Sequence, residues 1–159
     1  MEVLGCPGLP PCLEHLSRQV DELCPLLERF CINDCSFLTT SFCRYLTSLQ
    51  RLEVCYLDDE VMQLTGEQER ALQLLTSLRE LLFEGCNVLA DLPMGLHSLT
   101  YLKTLEISWC RGISSLQEKD LPPSPEELQV SRCSNDLDEQ CRALATTKLR
   151  VKIDWKYVN

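Results

Sequence analysis

The pattern L-x-x-L-x-[LVIF]-x-x-[CL] recurs along this chain, and a recurrence of near-constant period constrains a fold more than any single residue does. It falls on Leu27, Phe30, Ile32 and Cys35; on Leu49, Leu52, Val54 and Leu57; and on Leu78, Leu81, Phe83 and Cys86. It returns at Leu102, Leu105, Ile107 and Cys110, and at Pro125, Leu128, Val130 and Cys133. The third positions are separated by 22, 29, 24 and 23 residues, and a further step of 29 back from Ile32 reaches Val3, with Cys6 in register. The apolar spacing within a unit, Leu75, Leu78, Leu81, Phe83, Cys86, Leu89 and Leu92, fits neither a sustained helical stripe nor a strictly alternating strand.

One unit reads as a short strand with two apolar residues pointing inward and their neighbours outward. The Cys or Leu three residues on turns the chain under the strand, and L-x-x-L-P, ending at Leu89, Leu92 and Pro93, closes the far side. The periods lie in the leucine-rich-repeat range. The expected fold is therefore an α/β leucine-rich-repeat solenoid of about six repeats plus a C-terminal cap. Its curved parallel sheet forms the concave side, and loops and short helices form the convex side. Burying a Leu or Ile contributes about 1.5–3 kcal/mol, so a coil becomes stable only when neighbours cover its apolar flanks. Residues 1–133 are assigned to repeats and 134–159 to a capping helix and strand. Helical inserts are expected from Leu13, Leu16, Val20 and Leu23, and from TGEQERALQLL, where Thr65 and Gln68 have capping-box spacing. Ser134 to Ala145 reads as a capped helix whose Asp136, Asp138, Glu139 and Arg142 face solvent, and Leu149 to Ile153 as a last strand. Local irregularity is expected where Pro125 and Leu57 replace the usual Leu and Cys. Met1 takes an inward strand position, so the chain is expected to begin inside a repeat, as a fragment or truncated relative of a longer repeat protein.

With 15 Lys plus Arg against 24 Asp plus Glu, the formal charge is -9, which disfavours nucleic acid and anionic lipid as partners. The first residues lack the basic and long apolar regions of a signal peptide, and no run approaches a membrane span. The cysteines number 11, an odd count without a secretory signal, which points to a reducing compartment: cytoplasm, or equally nucleus. Cys6, Cys35, Cys86, Cys110 and Cys133 share one repeat position, and adjacent coils bring the last three within disulfide range. The reducing context favours buried thiols instead. A row along a solenoid does not converge tetrahedrally, so no metal is expected there. His15 and His97 lie in return segments away from any activated thiol, and no catalytic residue is expected.

LTSLRELLFEGCNVLADLPMGLHSLTYLKTLEISWC, Leu75 to Cys110, resembles consecutive repeats of plant nucleotide-binding leucine-rich-repeat disease-resistance receptors. LPPSPEELQVSRCS from Leu121, and the tail from Cys141, resemble the C-terminal end of the cereal members. The resemblance implies an intracellular immune-recognition module that senses a pathogen effector or host protein, or that holds the receptor's nucleotide-binding domain inactive. The G-x-x-x-x-G-K-[ST] loop that would cradle phosphate is absent from the sequence, so no nucleotide or other cofactor is expected. VCYLDD, Val54 to Asp59, is superficially similar to the magnesium-holding strand of such modules, but its register makes Val54 an ordinary strand residue.

The residues between and after the inward positions form the candidate binding face. Glu2 and Leu4 begin it, Arg29, Cys31, Asn33 and Asp34 continue it, and Arg51, Glu53, Cys55 and Tyr56 follow. Glu53, Leu82, Glu106 and Gln129 are expected in one column, with Tyr56 and Trp109 in a parallel column separated by Gly85. Glu84 and Arg132 join this acidic face. Exposed aromatics beside Arg are residue types that dominate interfaces, so Tyr56 and Trp109 are the expected anchors, with Glu53, Glu84 and Glu106 selecting a basic partner. The alternative is that Trp109 folds over its neighbours and the carboxylates are solvated. A second functional reading is a stand-alone inhibitor or adaptor that blocks a basic protein, similar in principle to the cysteine-rich ribonuclease inhibitor.

Overall fold

The computed structural model describes residues 24–58 and 60–158. Val3, Cys6, the segment from Leu13 to Leu23, His15, Glu2, Leu4 and the start of the chain at Met1 lie outside the described residues. Within them the chain is α/β, with seven strands forming one sheet in sequence order. These are β1 (Arg29–Ile32), β2 (Arg51–Cys55), β3 (Glu80–Glu84), β4 (Thr104–Ser108), β5 (Glu127–Ser131), β6 (Arg150–Ile153) and β7 (Lys156–Val158). Each is parallel to the next as far as β6, and β7 turns back antiparallel.

The register follows the sequence period. Phe30, Leu52, Leu81, Leu105, Leu128 and Val151 face one another from strand to strand, as do Ile32, Val54, Phe83, Ile107, Val130 and Ile153. All twelve are buried. Stacked apolar columns of this kind let each strand's inward residues pack against those of the next.

One backbone device repeats at the starts of β2, β3, β4 and β5. The carbonyl of Glu28 accepts from both Gln50 and Arg51, that of Gln50 from Arg79 and Glu80, and that of Arg79 from Lys103 and Thr104. Lys103 accepts in the same way from Glu126 and Glu127 at 2.8 and 3.0 Å. Pro125 leaves this device intact, because its missing N–H is not one of the donors, but it does break another repeated bond: Leu27, Leu49, Leu78 and Leu102 each donate to the carbonyl three residues back, and Pro125 has no N–H to do so. Leu57 is buried in the core.

The return segments hold short helices: α1 (Thr40–Cys43), α2 (Gly66–Gln73) and α3 (Asn135–Ala143). The Thr65 side chain accepts from the Gln68 N–H while Gln68 reaches back to the Thr65 N–H, completing the anticipated capping box of α2. Ser134 caps α3 through the Leu137 N–H. Asp138 departs from the expected solvent-facing position: its Oδ1 is buried without a hydrogen-bond partner, and burial raises its pKa, with the Asp154 charge adding to the effect. β6 extends the sheet in register with β5, so the ladder runs across position 133 without a break. It is not the last strand, since β7 follows it. Among the described residues no helix is long and apolar enough to cross a membrane.

Candidate functional site

The second face of the sheet carries the polar half of each strand. Arg29, Arg51, Glu80, Thr104, Glu127 and Arg150 form one row across it, and Cys31, Glu53, Leu82, Glu106, Gln129 and Lys152 the next. The expected column of Glu53, Leu82, Glu106 and Gln129 is therefore present, with Lys152 continuing it.

Immediately after the strands the backbone turns left-handed at a common rung: Tyr56 (φ 51°), Gly85 (φ 65°), Trp109 (φ 58°) and Arg132 (φ 55°). Side-chain-bearing residues rarely adopt this conformation. Here each is held by its own N–H. Tyr56 donates to the Glu84 carbonyl at 2.7 Å, Gly85 to that of Ser108 at 2.9 Å and Trp109 to that of Ser131 at 2.9 Å. At the end of the series Arg132 N–H donates to the Asp154 carboxylate, at 3.0 Å. The rung thus throws Tyr56 and Trp109 outward, and they are 66% and 45% exposed.

Gly85 separates the two rings as expected, and the Tyr56 ring lies over it: a Cβ at Gly85 would be 2.4 Å from Tyr56 Cδ1. A space of about 600 Å³ is lined by Tyr56, Gly85, Asn87, Trp109 and Arg111. On its other side Trp109 packs against Arg132, whose guanidinium lies 5.6 Å from the Trp109 ring centroid and 5.5 Å from that of Trp155. Trp109 therefore does fold over a neighbour while keeping much of its surface in solvent. Trp155, 59% exposed, was not singled out in the sequence because it follows β6, outside the repeat pattern. The only available signal was its position, 23 residues after Arg132, one repeat period.

The carboxylates of this face are largely satisfied internally. Glu53 accepts from Arg51 Nε at 2.6 Å and lies 3.4 Å from Arg29, while Arg51 also reaches Glu80 at 2.6 Å. Glu127 pairs with Arg150 at 2.7 Å and accepts from Gln129 at 2.8 Å. Glu84 accepts from the Tyr56 hydroxyl at 2.9 Å. That hydrogen bond, with the carboxylate charge behind it, raises the phenol's pKa. The face is consequently less acidic than its strand sequences imply. Glu106 has the weakest engagement of the three expected selectors, a 3.5 Å contact from the Ser108 hydroxyl. Leu82 is buried and Arg132 exposed.

The turn cysteines form a row, as their shared repeat position requires. Cys86 Sγ donates to the Val54 carbonyl at 3.5 Å, Cys110 to that of Phe83 at 3.5 Å and Cys133 to that of Ile107 at 3.6 Å. Each thiol thus caps a carbonyl of the preceding strand, and all three are free thiols. A different pair converges on the sheet face: Cys31 and Cys55, with sulfurs 3.7 Å apart, beside Glu53. His97 is exposed in a return turn, with Nδ1 2.5 Å from the Met94 carbonyl.

No family model, curated protein or solved structure matches this chain.

Proposed function

We propose that the chain is a leucine-rich-repeat solenoid that recognises a protein partner through the exposed aromatic rung, as part of the C-terminal region of an intracellular plant immune receptor. The observation that carries the reading is the pair Tyr56 and Trp109, held outward on left-handed backbone on either side of Gly85 and bordering one open space. Maintaining exposed aromatics on a conformation that side chains resist, beside Arg132 and Arg111, matches the residue types that anchor interfaces. The 22- to 29-residue strand register supports the repeat assignment, and the resemblance in Leu75 to Cys110 supports the receptor context. A basic partner segment meets Glu106 first, because Glu53 is neutralised by Arg51. No catalytic step is assigned to this face.

The test is capture of partners from host and pathogen lysates by the full chain and by the Tyr56→Ala, Trp109→Ala double variant, with folding of both verified by circular dichroism. Interface anchors cost about 2 kcal/mol or more on truncation, so a partner bound by the wild type is expected to weaken at least about 30-fold in the variant. Recovery of the same proteins with the same affinity by both chains refutes recognition through the rung.

A further inference from the structure

We propose that Cys31, Cys55 and Glu53 form a zinc-binding site on the open sheet face. Cys31 lies opposite Glu53 in the β1–β2 register, and Cys55 follows two residues on, so strand alternation directs all three side chains to one side. Their ligand atoms all lie within 4.8 Å of one another. Tetrahedral zinc with Zn–S bonds of ~2.3 Å needs its two sulfurs about 3.8 Å apart. The sulfurs stand at 3.7 Å, so the two thiolates can bind without moving the sheet.

Arg51 Nε and Arg29 both contact Oε1 of Glu53, which leaves Oε2 as the oxygen to ligate the metal. Outer contacts that fix a ligating carboxylate are a regular part of metal sites. Arg51 is shared with Glu80 and Glu84 lies opposite Cys55 in the β2–β3 register, so the guanidiniums are balanced. Two thiolates and a carboxylate suit zinc and disfavour magnesium or calcium, which take oxygen ligands. Cys31 and Glu53 are only half-buried, leaving the fourth position open to water. The turn cysteines take no part, since their sulfurs are committed to carbonyls inside the coil stack.

The test uses the full chain, reduced with a phosphine and stripped of metal, titrated with Co²⁺. The expected result is one equivalent bound, with the visible bands of tetrahedral cobalt and a thiolate-to-metal charge-transfer band, both abolished by Zn²⁺. The Cys31→Ser, Cys55→Ser variant should lose the bands, Glu53→Gln should weaken binding by about 10-fold or more, and Cys133→Ser should leave it unchanged. X-ray absorption on the zinc-loaded wild type reads the site without a variant: two sulfurs at ~2.3 Å and oxygens at ~2.0–2.2 Å are expected. An octahedral cobalt spectrum, bands that survive in the double variant, a shell with no sulfur or four sulfurs, or a reduced chain that binds no metal would each overturn the proposal.

Discussion

Replacing Gly85 by Ala perturbs the backbone rung and the Tyr56 ring together. The added Cβ would stand 2.4 and 2.6 Å from Cδ1 and Cε1 of Tyr56, well inside the ~3.5–4.0 Å of optimal carbon–carbon contact and in the repulsive range. Because the obstacle is the far end of an exposed side chain, the ring swings away and loses its hydrogen bond to Glu84. The backbone cost is separate. An alanine in left-handed conformation costs about 1–2 kcal/mol. Tyr56, Trp109 and Arg132 already hold the same conformation after neighbouring strands, which places the cost near the lower end, about 1 kcal/mol. With a urea dependence of about 2 kcal/mol per molar, the unfolding midpoint falls by about 0.5 M. Urea denaturation of the wild type, Gly85→Ala, Tyr56→Ala and the double variant resolves the two contributions. The substitution should cost more with Tyr56 present than in the Tyr56→Ala background, and the difference measures the ring contact. A neutral Gly85→Ala would mean that the rung is not left-handed there. Equal costs in both backgrounds would mean that the ring does not lie over Gly85.

Gly112→Ala should be more damaging, since its Cβ would fall 2.6 Å from the carbonyl oxygens of both Asn87 and Leu89. Backbone atoms cannot rotate away as a side chain can, so an overpacking cost of about 1–3 kcal/mol is expected in thermal or urea unfolding; Gly66→Ala, with nothing near its Cβ, is the control. Burial pushes the thiols of Cys35, Cys43 and Cys141 from the ordinary 9.0 up to about 12. Below pH 9 both folded and unfolded chains keep these protons, whereas above it only the unfolded chain ionises. Stability should therefore decline as pH rises from about 9 toward 12, and Cys43→Ala should flatten part of that slope; a stability that does not fall across this window refutes burial as the cause.

The apolar columns were legible in the sequence because a parallel ladder pairs the repeated motif with itself from strand to strand, whatever the length of the segments between, and so converts recurrence directly into register. Once Ile32, Val54, Phe83, Ile107 and Val130 are aligned, Glu53, Leu82, Glu106 and Gln129 must share the opposite face. The same logic placed Tyr56, Gly85 and Trp109 on one rung. The Thr65 capping box was legible because it is local, complete within four residues. The effect of Pro125 was legible only in part: the turn bond that Leu27, Leu49, Leu78 and Leu102 donate at the same repeat position is missing there, whereas the bonds at the strand start persist because they use the following N–H groups.

What the sequence by itself determined was therefore the periodic part: which residues face inward, which rows they form, and which helix starts are capped. Tertiary structure alone decided how the polar rows spend their charge. Arg51 lies close enough to satisfy both Glu53 and Glu80, which removes two carboxylates from the face. It also decided that the chain reverses after β6, carrying Trp155 back to close the stack on Arg132, and that Cys31 and Cys55 meet beside Glu53. The physical reason is that a repeat period specifies which residues become neighbours, whereas hydrogen bonds, ion pairs and ligand geometry depend on distances of a few tenths of an ångström and on side-chain rotation, which spacing does not encode.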